Sequence, residues 1–248
     1  MKKVAVIFGA TGGIGKAILE QYQHEGYTVC AASRTQRSIS TEDMYGTSVD
    51  VEIDAQVISF VRKCTDLFGR IDVCVFCVGY PITKRIQDTG YAEWNRAFSL
   101  YLWSLVSVVQ AVVPIMMKQG EGSIVNIGGL RAFDPAQGKA IYCSLKSAAS
   151  MFIEVLQKEV QQFGIKAFSI HPGFTDTNFH KEESKRPYEK DGKDWKKVSI
   201  TNPSDIASLV YTLTRMSKGA SVQNVTIGTA FDFDAKELRL VPCLQEKK

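Results

Sequence analysis

Val4-Ala5-Val6-Ile7-Phe8-Gly9-Ala10-Thr11-Gly12-Gly13-Ile14-Gly15 decides the fold. The first five residues are an apolar run with the length and β-branching of a buried strand. Beyond the stretch, Lys16-Ala17-Ile18-Leu19-Glu20-Gln21-Tyr22 places its apolar residues on one helix face. Gly9, Gly13 and Gly15, with Gly12 extra, form a G-x-x-x-G-x-G turn between the two. Strand, glycine turn and helix start make a diphosphate site. The glycines allow the turn and let backbone approach the ligand, and the new helix offers free N–H groups and its positive end. The spacing is not G-x-G-x-x-G, so taken alone it also fits an ordinary glycine-rich β–α turn.

Working outward, apolar runs alternate with helical patterns. Strands are expected at Tyr27–Ala32, over a short stretch ending at Val49-Asp50-Val51, and over 71–78, 123–127, 166–170 and 224–229. Helices are expected over 56–68, 92–118, 142–163 and 203–216. This alternation predicts an α/β fold, a doubly wound parallel sheet of Rossmann type covered on both faces. At 248 residues, one domain spanning 1–248 is expected.

Composition excludes several classes. The net charge of +4 is small and dispersed, so no nucleic-acid partner is expected. Residues 97–117 carry no charge and are long enough to span a bilayer. They also hold Ser99, Ser104, Ser107, Gln110 and Pro114 among alternating elements, so a helix between the sheet and a second subunit is expected, not a membrane span. Six cysteines without an export signal point to a reduced, cytoplasmic setting. Cys74 and Cys77 fall on opposite faces of a strand, which suits inert thiols better than a redox pair. His24, His171 and His180 have no ligand spacing, so no metal is expected. The segment 178–200 is dense in both charge signs and follows a strand end. It reads either as a substrate loop or as a solvated surface loop.

Four motifs give the chain a resemblance to the short-chain dehydrogenase/reductase family over nearly its whole length. They are Gly9-x-x-x-Gly13-x-Gly15, Asp50-Val51, Tyr142-Cys143-Ser144-Leu145-Lys146 and Pro172-Gly173-Phe174-Thr175-Asp176-Thr177. The resemblance implies cofactor phosphates at Gly9, Thr11, Gly12, Gly13, Ile14 and Gly15, and adenine at Asp50 and Val51. It implies further cofactor contacts at Cys77, Val78 and Gly79, and a nicotinamide side at Pro172, Gly173, Thr175 and Thr177. Tyr142 and Lys146 are implied as the catalytic pair, both also touching cofactor. The chemistry agrees. Residues four apart share a helix face, and an ammonium beside a phenol favours phenolate. Tyr142 could then exchange a proton with a carbonyl or alcohol oxygen.

The departures from the family pattern are specific. The serine expected thirteen residues before the tyrosine is Gly129, preceded by Gly128. The asparagine-rich strand end is Phe76-Cys77-Val78-Gly79, and the helix asparagine aligns with Tyr101. Arg131, just past Gly129, is either a substitute donor to substrate or a solvated arginine. At the second strand end, Ser33-Arg34-Thr35 stands where NAD-selective sites place an acid, so Arg34 is expected to favour NADP(H). The expected function is NADPH-dependent hydride transfer with a small-molecule carbonyl or alcohol substrate. The alternatives are a non-catalytic NADP(H)-binding protein and an enzyme of altered chemistry, elimination or isomerisation. A homodimer or homotetramer is expected from the apolar circumference of 97–117 and from Met151, Phe152, Val155 and Leu156.

Overall fold

The computed structural model describes residues 1–180 and 200–228. In chain order the elements are β1 (Val4–Phe8), α1 (Gly13–His24), β2 (Thr28–Ser33), β3 (Ile39–Ser40), β4 (Met44–Ser48), α2 (Asp54–Phe68) and β5 (Val73–Phe76). Then come α3 (Tyr91–Phe98), α4 (Ser104–Gln119), β6 (Gly122–Ile127), α5 (Ala140–Val160), β7 (Ile165–Pro172), α6 (Pro203–Arg215) and β8 (Asn224–Ile227). A π-helical turn, Ser99–Trp103, joins α3 to α4 without a break.

The strands form one sheet in the order β3-β4-β2-β1-β5-β6-β7-β8. All neighbours are parallel except the short β3 against β4. Winding reverses between β1 and β5, and the crevice at their carboxyl ends is where such sheets bind ligands.

Alternation along the strands sorts the core into two layers. Val4, Val6 and Phe8 face one way with Cys30, Cys74, Phe76 and Ile124, under α2, α4 and α5. Ala5 and Ile7 face the other way with Val29, Val75, Val125 and Phe168, under α1 and α6. Cys74 belongs to the first layer and Cys77 packs on the second, so the two thiols do lie on opposite faces. The apolar stretch 97–117 buries Leu105, Val108, Val112 and Met116 against the sheet. Tyr91–Gln119 is long and apolar enough to cross a membrane, and half of its most apolar window is buried in the fold.

Two expectations need correction. The strand expected to end at Val49-Asp50-Val51 is β4, which ends at Ser48, with Val49 N still donating to the Ser33 carbonyl of β2 at 3.0 Å. Helix 92–118 is not one regular α-helix, because the π-turn inserts at 99–103 and carries Tyr101 inward. Of the charged segment 178–200, residues 181–199 lie outside the described residues.

Candidate functional site

The site is built on the glycine turn. Gly9 has φ +85°, and a Cβ there would stand 2.1 Å from the carbonyl oxygen of Cys77. Only a glycine lets β1 and the end of β5 close this tightly. A Cβ on Gly15 would meet the Gly9 carbonyl at 2.2 Å, and one on Gly13 would meet the Thr177 methyl at 2.5 Å. The three glycines therefore draw strand, helix start and the 172–177 loop into one seam. That loop is itself held by Thr201, which accepts from Asp176 N at 3.0 Å and donates to the Phe174 carbonyl at 3.0 Å.

Two cavities open along the seam. The larger, about 250 Å³, runs from Thr11, Gly12, Gly13 and Ile14 past Cys77, Val78 and Gly79 to Gly128, Gly129, Tyr142 and Lys146. Pro172, Gly173, Thr175 and Thr177 form its other wall, with Asn178 and Phe179. The smaller, about 160 Å³, is lined by Gly9, Thr11, Ser33, Arg34, Thr35, Val49, Asp50 and Val51, with Leu100 at its floor. The sequence thus placed nearly every expected site residue in one of two adjoining cavities. Gly15 is the exception among the glycines, since it supports the turn from behind. Sequence reasoning missed Ile127, Val49 and Leu100 as lining residues, whose only signal is their nearness to motif residues, whereas Asn178 and Phe179 open the segment 178–200 that was read as a candidate substrate loop.

In the smaller cavity three hydroxyls gather beside the exposed Arg34. Thr11 Oγ1 lies 2.8 Å from Ser33 Oγ and 3.0 Å from Thr35 Oγ1. Hydroxyls with a guanidinium make a cradle suited to a phosphate.

In the larger cavity Tyr142 and Lys146 share the inward face of α5, both buried. Lys146 Nζ donates to the Ile127 carbonyl at 3.1 Å. It also stands 5.1 Å from the Tyr101 ring centre and 5.8 Å from that of Tyr142. The rings of Tyr101 and Tyr142 meet edge to face at 5.7 Å. Tyr101 takes the place of the family asparagine as the aromatic floor under the ammonium. Its hydroxyl accepts from Tyr80 N at 2.8 Å and donates to the Tyr80 carbonyl, which pins the 79–80 loop.

The electrostatics differ from expectation. Burial raises the Tyr142 phenol above its ordinary value, so it is held protonated. Burial likewise lowers the Lys146 ammonium to about 8. Desolvation by burial is the largest cause for each group.

Arg131 had two readings, and its place in the structure goes against the substrate donor. It does not line the cavity. Its guanidinium pairs with the Asp134 carboxylate and donates to the Asp134 carbonyl at 3.2 Å. Gly129 does line the cavity, in extended backbone, and a Cβ there would stand 3.3 Å from the Tyr142 hydroxyl.

Comparison with known proteins gives a family and a fold. A family model described as short chain dehydrogenase matches residues 3–187. A Staphylococcus epidermidis protein described as an uncharacterized oxidoreductase is 28% identical over 235 residues, covering 91% of this chain and 96% of that protein. Among solved structures, the closed form of serine dehydrogenase complexed with NADP+ superposes with a TM-score of 0.82 at 20% identity, over 92% of this chain and 95% of that one. ElxO with NADP bound gives 0.80 at 22% identity, over 92% and 97%. At these identities the structural likeness is one of fold.

Proposed function

The chain belongs to the short-chain dehydrogenase family, and from that premise we propose that it is an NADP(H)-dependent oxidoreductase transferring hydride between cofactor and a small carbonyl or alcohol. The observation that carries this reading is one continuous seam. It leads from a phosphate-binding glycine turn to a buried tyrosine and lysine on one helix face. We read 1–248 as one dinucleotide-binding and catalytic domain, acting as a soluble cytoplasmic homo-oligomer.

The residues present fit the cofactor. The turn has no room for side chains at Gly9, Gly13 or Gly15, so backbone lines the diphosphate path. Asp50 and Val51 line the smaller cavity as an adenine wall. Arg34, with Thr11, Ser33 and Thr35, suits a 2′-phosphate, and ElxO and serine dehydrogenase bind NADP on the same fold. Cys77, Val78, Gly79, Pro172, Gly173, Thr175 and Thr177 would hold the nicotinamide end. When bound, the reduced nicotinamide supplies the hydride.

The chain's own residues supply the proton. Tyr142 is buried and protonated, so it is set to donate to the oxygen of a carbonyl as charge develops there. Lys146 then stabilises the phenolate left behind. General acid help of this kind is worth about 10²–10⁴ in rate.

A panel of aldehydes and ketones with NADPH tests the reading. Reduction is expected for some members and should fall at least about 100-fold in Tyr142→Phe, which should still bind NADPH. Undiminished turnover in that variant would remove Tyr142 as the acid. Tight NADPH binding with no turnover across the panel would instead favour a nucleotide-binding protein without catalysis. That second reading draws on Gly129, where the family hydroxyl is missing, and on Arg131, which is engaged by Asp134.

A further inference from the structure

A line of hydrogen bonds runs from the protein surface to the turn beside Tyr142, through three residues the chemistry above does not use. Asn224, at the start of β8, donates from Nδ2 to Glu154 Oε1 on α5 at 2.7 Å. Its Oδ1 lies 2.9 Å from Nε2 of His171, near the end of β7. His171 Nδ1 lies 3.4 Å from the backbone nitrogen of Gly129 and 3.3 Å from its carbonyl oxygen. The imidazole is fully buried, and the Phe133 ring meets it edge to face at 4.6 Å.

Donor and acceptor roles follow from the carboxylate end. A carboxylate only accepts, so Asn224 turns its amide nitrogen to Glu154 and its oxygen to His171. That oxygen needs a donor, so Nε2 carries the proton. Burial keeps the ring neutral. Nδ1 is then bare and takes the Gly129 N–H. Glu154 thus sets an amide orientation, the amide sets a tautomer, and the tautomer decides which backbone atom of Gly129 is held.

Shape agrees with polarity. A Cβ on Gly128 would stand 2.6 Å from His171 Nδ1 and 2.8 Å from Cε1. The imidazole fills the volume that a serine at 128 would need. Gly128 N donates to the Ile170 carbonyl at 2.8 Å, and the Gly129 carbonyl also accepts from Ala132 N at 2.9 Å. The polar atoms of Gly129 are therefore engaged by His171 and Ala132, and a Cβ on it would stand 3.3 Å from the Tyr142 hydroxyl.

We propose that His171 is a positioning residue of this active site, fixing the Gly128–Gly129 turn through the chain Glu154–Asn224–His171 so that Gly129 forms the wall beside the Tyr142 hydroxyl. It touches no substrate and acts through Gly129. The proposal rests on Tyr142 being the proton donor.

The test begins with NMR of the cofactor-free protein labelled with ¹⁵N-histidine, a simple spectrum since the chain has three histidines. His171 should show a protonated Nε2 and an unprotonated Nδ1 near neutral pH. The reverse tautomer, or a doubly protonated ring, would overturn the proposal. Kinetics on a substrate from the panel follow. Asparagine places a polar atom where Nδ1 sits, and glutamine places one near Nε2. His171→Gln should lower kcat about 10-fold or more, because small misplacements near reacting atoms are costly, with NADPH Kd within about twofold. His171→Asn should recover most of that loss. Equal kcat for His171→Gln and wild type, or better recovery by glutamine than by asparagine, refutes the role. If the buried variants do not fold, the exposed Asn224→Leu serves. It should shift the Gly129 amide resonance and lower kcat, and no change in either counts against the proposal. A wild type that binds NADPH and turns nothing over defeats the reductase reading. The histidine spectrum and the Gly129 resonance then still decide whether His171 holds the turn.

Discussion

Replacing Lys146 with methionine should make the cofactor-free protein more stable at neutral pH and less stable at high pH. A buried lysine whose ammonium titrates near 8, below the ordinary 10.5, is held charged at a loss in the folded state. That gap is worth about 3 kcal/mol at ~1.4 kcal/mol per pH unit. The penalty is fully present below pH 8. Between about 8 and 10.5 the unfolded chain binds more protons than the folded one, so wild-type stability rises with pH. Above 10.5 the penalty is gone. Methionine keeps the packed stem and removes the charge, but it leaves the Ile127 carbonyl without its 3.1 Å donor. That loss costs about 1–2 kcal/mol at every pH. The variant should therefore lead by about 1–2 kcal/mol near pH 7 and trail by a similar amount near pH 10.5. Urea unfolding followed by tryptophan fluorescence at several pH values reads the difference, with other titrating groups cancelling between the two proteins. A difference that stays flat from pH 6.5 to 10.5 would refute the reasoning that burial, and not packing, governs this lysine.

Arg34→Ala should weaken NADPH about 10-fold or more and leave NADH nearly unchanged, measured by titrating both cofactors. Gly129→Ser should be tolerated, since the backbone there is extended and its Cβ needs only a few tenths of an ångström from the Tyr142 hydroxyl. With Arg131 and the Gly129 backbone engaged elsewhere, the new hydroxyl should speed reduction of small ketones about 10-fold or more in steady-state assays. Light scattering at micromolar concentration should give a dimer or tetramer, and Trp103→Glu or Met151→Glu should lower that mass, because both side chains stand exposed on the apolar faces of the π-turn and α5.

Where an element is buried on both faces, its sequence was easy to read. Val4–Phe8 has no room for a polar residue, so the strand and the winding around it were legible. β4 was not. It lies near the sheet margin and spells Met-Tyr-Gly-Thr-Ser, whereas the apolar Val49 and Val51 that drew attention line the smaller cavity. The π-turn left no trace either, because inserting one residue per turn changes hydrogen bonding without removing apolar positions. In the site, the motifs carried Tyr142, Lys146 and the glycines. His171 was noted only as a histidine without ligand spacing, since its partners Gly129 and Asn224 lie 42 and 53 residues away in sequence. Arg131 was left open between substrate donor and surface arginine, although its partner Asp134 lies only three residues on.

Helix α5 carries Tyr142 and Lys146 near its start, Glu154 beyond them, and the exposed Met151 and Val155 between and after. A rod of 21 residues transmits what happens along it. A subunit seated on Met151 and Val155 would brace the same backbone that aims the phenol and the carboxylate that orients Asn224. Mass action then enters the enzymology: thermal resistance and specific activity should both climb as the protein is concentrated and decay on dilution.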